Sequence, residues 1–391
     1  MATYFGNVTL FDGRNVRTKA GVLTSNGTIE WVGGHARAPR VARAAHEVDG
    51  TGKTLAPGLI DCHVHLCWDG RPDFAAESRE MTEARAALKA ARNARRTLER
   101  GVTTVRDLGA PSHAVIDVAR AIEEGMIPGP RVVPAGRALT ITGGHGHSIF
   151  ALEVDGPDAL RKAVREQIRA GALAIKLIAT GGVLTPGIGA EFTAFTPEEL
   201  EAAVDEAHKW GRPVAAHAIG AGGIGSSVLA GVDSIEHGSQ IRPETARMMK
   251  ANGTFLVPTI SAVRGIVENA DEVPRYAAEK AAAIAGQARD SFRRIVRTGA
   301  PIAMGTDAGT PFNPHGNGPL EIVRMVEWGL TPLRALQAAT ASAADLLRMS
   351  GVGRVEAGRI ADLVLYDADP LDAIEAVLKP ALVVKAGEPV A

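Results

Sequence analysis

Cysteine is almost absent from the 391 residues, with Cys62 and Cys67 the only two. Two thiols make no disulfide framework, and they suit a reducing compartment in which both stay free and buried. Net charge is nearly absent as well. The chain sets 43 Lys and Arg against 44 Asp and Glu, a formal charge of -1, with both signs interspersed, so the basic footprint of a nucleic-acid binder is missing. Long hydrophobic runs are missing too. The run from Leu55 to Leu66 is too short and too polar to cross a bilayer, and no charged segment followed by an apolar one opens the sequence. What remains is a cytoplasmic protein with a small-molecule partner, no nucleic acid and no membrane; a homo-oligomer is expected.

What the sequence does have is alternation. From Met1 to about Thr54 it consists of short β-prone pieces broken by Gly and Asn, and Asn26-Gly27 between two of them predicts a tight hairpin. The same character returns in Gly358–Asp367 and Ala381–Gly387. Neither end is long enough to fold well alone, so 1–55 and 352–391 are read as one composite β-domain, a small β-sandwich. Between them, 56–351 alternates buried-type strands with amphipathic helical stretches, the pattern of a parallel sheet with crossover helices. Eight strands are predicted: Leu59–His65, Val102–Asp107, Arg131–Gly136, Ala174–Ile178, Pro213–Ala218, Ser234–His237, Phe255–Pro258 and Pro301–Gly305. Helices are predicted over Ser78–Arg100, Pro157–Ala170 and Pro243–Asn252, and Thr196-Pro197-Glu198-Glu199 carries the N-cap, proline and acidic residue of a further helix start. The fold class is thus α/β, a (β/α)8 TIM barrel with the composite domain attached. In such barrels the chemistry sits at the C-terminal ends of the strands.

The residues that carry metal chemistry fall at those ends. The first strand closes in Pro57-Gly-Leu-Ile-Asp-Cys-His63-Val-His65. Alternate side chains of an extended strand share a face, so Asp61, His63 and His65 are expected on one side and Cys62 and Val64 on the other. A lone His-x-His is as readily a chance pairing on a solvated strand. Four more strands argue against chance: the fourth holds Lys176, the fifth ends in Ala215-Ala216-His217, the sixth in Ile235-Glu236-His237, and the eighth runs into Gly305-Thr306-Asp307. A charged lysine inside an apolar strand is costly unless compensated. Its neutral amine can react with carbon dioxide to give a carbamate, an anionic ligand able to bridge two metals. The set then partitions into two sites, His63, His65 and Asp307 on one ion and His217 and His237 on the other, with carboxylated Lys176 shared. Imidazole and carboxylate ligands with open positions suit Zn²⁺, two per chain, although Mn²⁺, Co²⁺ or Fe²⁺ can take the same ligands. Two ions about 3.5–4 Å apart bring the pKa of bound water toward about 7 and polarise a carbonyl, and Asp307 can pass the water's proton to the leaving nitrogen. Glu236 is expected on the outer face of its strand, and His113 and His208 in helical stretches, so all three are read as structural or exposed.

Together these motifs resemble the amidohydrolase superfamily. Within it they resemble the imidazolonepropionase-like branch that includes Xaa-Pro dipeptidases (prolidases), arginine and lysine carboxypeptidases and ochratoxin-type amidases. Thr142-Gly-Gly-His145-Gly146, Ala179-Thr-Gly-Gly-Val-Leu-Thr-Pro186, Thr306-Asp-Ala-Gly-Thr-Pro311 and Gly358-Arg-Ile-Ala-Asp-Leu363 are similar to that branch, and the resemblance spans essentially the whole chain. It implies that His145 faces the scissile carbonyl and helps stabilise the oxyanion. The glycine-rich loop Thr180–Phe195 is read as a lid or substrate wall, and His147 as a solvated loop residue. One position departs from the pattern. Two residues beyond the fifth-strand histidine such relatives often have Tyr or His against the substrate carboxylate; here stands Ile219, and Arg137, Arg264 or His315 are the candidates to replace it. The loop Phe312–Asn317 is expected to line the same pocket.

The expected function is a binuclear zinc-dependent amidohydrolase that cleaves an amide, peptide-like bond, as in a dipeptide or N-acyl amino acid, by attack of a metal-bridging hydroxide. A second enzymatic reading keeps the scaffold but takes a cyclic amide, carbamate, lactone or amidine. Lys176 argues against deamination. A third reading, a metal-free barrel that has lost catalysis, predicts missing ligands, and here the set is complete.

Overall fold

The computed structural model describes residues 2–390. Strands from both ends of the chain join one eight-stranded sheet, in the order Glu388–Pro389, Pro380–Lys385, Leu363–Tyr366, Thr54–Pro57, Thr3–Phe11, Val16–Ser25 and Thr28–Gly34, with His46–Asp49 also paired to Thr3–Phe11. The hairpin predicted at Asn26-Gly27 forms: Ser25 pairs with Thr28, and both turn residues take positive φ, 49° and 80°, as the twist of a two-residue hairpin requires. Leu363 pairs antiparallel with Pro57, so the C-terminal segment braces the approach to the His-x-His strand. Phe5, Leu10, Val22, Leu55, Leu363 and Leu365 form a core of their own. At about 1.5–3 kcal/mol for each large side chain fully buried, that core ties the two ends together.

The middle of the chain is α/β with parallel sheets. Leu59–Val64, Val102–Asp107 and Arg131–Pro134 form one arc. The other runs in the order Ala151–Glu153, Ala138–Thr140, Ile175–Ile178, Val214–Ala218, Ser234–His237 and Phe255–Val257. Seven predicted strands are present to within two residues at their ends. The eighth, Pro301–Gly305, is not a continuous strand; its segment makes isolated parallel bridges, Leu256 with Ile302 and Val64 with Ala308, and Cys62 N donates to Met304 O at 2.8 Å. Crowding explains the irregularity. A Cβ at Gly305 would lie 2.3 Å from Val257 Cγ1 and 2.9 Å from His63 Cβ, so only glycine lets the backbone pass between them. The paired strands Ala138–Thr140 and Ala151–Glu153 were not predicted, each being too short to show a period.

The helices cover the strands. The predicted Ser78–Arg100 helix is instead two, Phe74–Arg79 and Glu83–Leu98, because Thr82 caps the second by accepting from Arg85 N at 3.3 Å. Ala86, Ala90, Ala94 and Leu98, four residues apart, are all buried, which is the inward stripe of an amphipathic helix. Thr196 and Glu199 form the predicted capping box, each side chain accepting from the other's backbone N–H. The long helix Arg275–Thr298 packs on Ile260–Glu268 and reaches the cavity described next. Among the described residues, no helix is long and apolar enough to cross a membrane.

Candidate metal centre

A single cavity brings together His63, His65, His145, Lys176, His217, Ile219, His237 and Asp307. The sheet register does the gathering. Ile178 lies opposite His217, and Ala218 opposite His237, so neighbouring strands present their C-terminal side chains to the same space. Asp307 arrives on the irregular eighth segment, its N–H donating to His63 O at 2.7 Å. His63 Nε2 and His65 Nε2 lie 3.4 and 3.2 Å from Asp307 Oδ1. The ring centroids of His63 and His237 are 5.3 Å apart, and those of His217 and His237 4.6 Å.

Each of these four imidazoles has one nitrogen anchored on the surrounding scaffold and the other turned toward the cavity. His65 Nδ1 donates to Gly109 O at 2.9 Å and His217 Nε2 to Gly181 O at 2.9 Å. His63 Nδ1 donates to Glu236 Oε2 at 2.8 Å. His237 Nδ1 meets Thr259 Oγ1 at 2.7 Å, whose own proton goes to Pro258 O. That leaves Nε2 of His63, His65 and His237, and Nδ1 of His217, facing the cavity. Anchored second nitrogens fix ring orientation and tautomer, as metal-ligating histidines require.

Burial pushes His63 and His217 well below the ordinary imidazole range, and His237 to about 4; the neighbouring positive groups add to the effect. Burial opposes charge on Asp307, yet the His65 bond and the surrounding cations hold its carboxyl below the usual value. For His65 burial again opposes charge, but Asp307 and Asp107 raise it. Lys176 falls to about 8 through burial, with Glu236 and Asp307 acting on it only through space. Three imidazoles held neutral, a fourth beside an ionised carboxylate, and a readily neutralised amine form the donor set that a divalent cation binds, so the residues present fit a metal. Three backbones here are left-handed: His237 at φ 70°, Thr259 at 49° and Asp307 at 59°. Such conformations cost about 1–3 kcal/mol each and persist where the surroundings dictate them.

Two expectations about facing side chains fail. The register with Val102–Asp107 slips between Asp61 and Val64, and an extra residue in a strand breaks its alternation. Asp61 therefore does not line the cavity; it accepts from Thr306 Oγ1 at 2.6 Å and Thr306 N at 3.0 Å, which steadies the residue before Asp307. Cys62 joins Val133, Ala174, Val257 and Ala303 in an apolar cluster. Glu236, expected on the outer face, is instead fully buried against His63. It keeps the inner face with Ser234, and the left-handed turn at His237 swings that histidine round to join it. Arg106, which sequence reasoning missed, completes the set: Nη2 donates to Glu236 Oε1 at 2.9 Å and to Ser234 Oγ at 3.2 Å, and Nε to Cys62 O at 2.7 Å. A charged residue inside an apolar strand was the available signal, the same one that picked out Lys176.

His145 projects from the glycine-rich loop, its Nδ1 paired with Thr185 Oγ1 at 2.7 Å. A Cβ on Gly182 would lie 2.4 Å from His145 Nε2, so the bare glycine makes room for the ring. Val183 and Leu184 of the loop Thr180–Phe195 line the cavity. Lys280, also missed, fastens that loop by donating to the carbonyls of Gly182, Thr185 and Ile188, while Tyr276 donates to Leu184 O. His315 is a correction. It does not line the cavity but sits behind His65, Nε2 donating to His65 O at 3.1 Å, because Asn313 turns its loop back onto Thr306 O at 2.7 Å. Among the described residues beyond Asp307 only Thr310 lines the cavity, so the expected Phe312–Asn317 wall is absent. Arg137 donates to Ala151 O, and Arg264 pairs with Glu268 and Glu327; neither lines the cavity. His147 bonds Gly144 O, His113 pairs with Gln167 and His208 with Asp233.

Residues 54–390 match the amidohydrolase family. An ochratoxinase of Aspergillus niger is 33% identical over 96% of this chain and 83% of its own length. An imidazolonepropionase of Aromatoleum aromaticum is 29% identical over 88% of this chain and 84% of its own. The crystal structure of a Xaa-Pro dipeptidase with bound methionine in the active site superposes with a TM-score of 0.92 at 32% identity, covering 100% of this chain and 99% of that one. The chain belongs to the amidohydrolase family and is a hydrolase of carbon–nitrogen bonds.

Proposed function

We propose that the protein is a binuclear zinc-dependent amidohydrolase acting on an amide, peptide-like bond, such as that of a dipeptide or N-acyl amino acid. The observation that carries this is the convergence of four anchored imidazoles, each with one nitrogen turned toward the cavity, on Lys176 and Asp307. His63, His65 and Asp307 would hold one ion and His217 and His237 the other, with carboxylated Lys176 between them. When bound, the pair would supply a hydroxide nucleophile near neutral pH and polarise the scissile carbonyl. Asp307, kept ionised, accepts the proton of the attacking water and delivers it to the departing nitrogen. His145 is held neutral, its pKa pushed down to about 3 by burial. Thr185 Oγ1 accepts from Gly146 N at 3.1 Å and can turn its own proton to His145 Nδ1. That leaves Nε2–H of His145 to donate toward the developing oxyanion.

The same reading takes the two parallel arcs and the bridged eighth segment as one closed (β/α)8 barrel over 56–351. It takes 1–55 with 352–391 as the composite β-domain, supported by the separate core around Leu55 and Leu363. Free, buried Cys62 and Cys67 support a reducing, cytoplasmic setting. The test is elemental analysis of protein purified without added metal, for wild type and Lys176→Ala in parallel, followed by a panel of dipeptides and N-acyl amino acids. About two zinc per chain, falling sharply in the variant, is expected. One ion or fewer in wild type, unchanged by the substitution, would reject the bridged pair.

A further inference from the structure

Resting on the amide-hydrolase reading but turning its substrate away from the dipeptides and N-acyl amino acids, which carry a free carboxylate, we propose that the preferred substrate is a neutral amide with apolar groups and no free carboxylate. The cavity away from the histidine cluster is walled by Val183, Leu184, Ile219, Val263, Ile266 and Ile284. Its polar lining side chains are the metal-type set, His145 and Thr310, and the Thr310 hydroxyl is already committed to Asp307 O at 2.7 Å. Lys176, the single lining residue with an ammonium or guanidinium group, belongs to the ligand set.

The cations nearby are committed elsewhere. Lys280, which lies behind the wall, has three N–H donors and directs them to three backbone carbonyls, those of Gly182, Thr185 and Ile188. Arg264 is tied to Glu268 and Glu327; Arg137 gives Nη2 to Ala151 O and, although its Nε is buried without a partner, it does not line the cavity. Backbone donors do not make up the deficit at the position where Ile219 stands, because its N–H is given to Thr180 Oγ1 at 3.0 Å. A substrate carboxylate entering this wall would lose its water and gain no partner, which is strongly unfavourable. A carboxylate directed to the histidine cluster instead would occupy the ground the amide needs. Aromatic or branched groups, by contrast, gain from every face of the wall.

The experiment compares N-benzoylphenethylamine with N-benzoylphenylalanine, which differ only by the carboxylate, on the protein as purified with its metals. Hydrolysis is followed by chromatography and binding by calorimetry. The neutral amide is expected to show kcat/KM at least about tenfold higher, with tighter binding in the same sense. In Ile219→Arg the ratio should move at least about tenfold toward the acid, while the wild-type pair carries the test even if that variant does not fold. Equal or faster cleavage of the acid overturns this inference and leaves amide hydrolysis standing. Tighter binding of the neutral amide with neither compound cleaved supports the recognition argument and overturns the amide-bond reading of the substrate. Binding of neither compound overturns the inference.

Discussion

Replacing Glu236 by Gln preserves the shape of a fully buried side chain and removes its charge. In the native site the carboxylate accepts from His63 Nδ1, Arg106 Nη2 and Ser234 Oγ, at 2.8, 2.9 and 2.5 Å. A Gln offers one carbonyl and one amide, so its NH₂ must face either Arg106 or His63, both of which are donors. Arg106 is then a buried cation without a counter-charge, and its Nη1 already lacks a partner. Removing one member of a buried pair costs about 3–5 kcal/mol, and losing the group that orients a ligating histidine weakens metal affinity about 10–100-fold. Urea unfolding of metal-stripped protein reads the first effect, and zinc titration with a competing chelator reads the second. Adding Arg106→Met to Glu236→Gln should return part of the lost stability, since the orphaned cation goes too. A stability change under about 1 kcal/mol with metal affinity unchanged would refute the assignment of Glu236 as counter-charge and orienting partner.

Gly182→Ala should drive His145 from its place and lower kcat by about 10²–10³-fold, with metal content by elemental analysis unchanged; retention of full kcat would show that His145 is not needed where it stands. Lys280→Met releases three carbonyls of the loop Thr180–Phe195, so limited proteolysis should cut within that loop and KM should rise, while intact resistance would contradict a fastening role. Metal-free protein should lose stability as pH falls from about 6.5. His63, His217, His237, His145 and His315 have folded values below that of the unfolded chain, so below it the unfolded state binds more protons, at up to about 1.4 kcal/mol per pH unit for each histidine. Asp61, Asp107, Glu321 and His65, whose folded values are raised, act in the opposite sense and leave a smaller net slope. Denaturation midpoints between pH 7 and 4.5 check this, and a flat profile would contradict it.

The metal-type residues were legible because each breaks an apolar strand at its end: His65, His217, His237 and Asp307 stand out against Val, Ile and Ala for a reason a sequence reader can weigh. Lys176 was legible by its cost. Arg106 carried the same cost and was overlooked, although one buried cation in an apolar strand demands a counter-charge and Glu236 was the available one. The errors at Asp61 and Glu236 share a cause of another kind. Strict alternation predicts facing only while register and φ stay regular, and here a bulge at the first strand and left-handed backbones at His237 and Asp307 interrupt both. A left-handed glycine announces itself in sequence; a left-handed histidine or aspartate does not, since these residues enter that region more often than most yet still in a small minority of cases.

That distinction also says where the strain is met. Thr259 is itself left-handed and receives the His237 Nδ1 proton, while Glu321 accepts from Ile260 N, Ser261 N and Ser261 Oγ just beyond it. On the other side, Asp61 and Asn313 grip Thr306 through its hydroxyl, N–H and carbonyl. Buried, fully bonded side chains thus flank both strained ligands, and they draw on residues distant in sequence. Local pattern names the ligands; the long-range bonds that hold them in unfavourable backbone conformations are what aim them at one cavity.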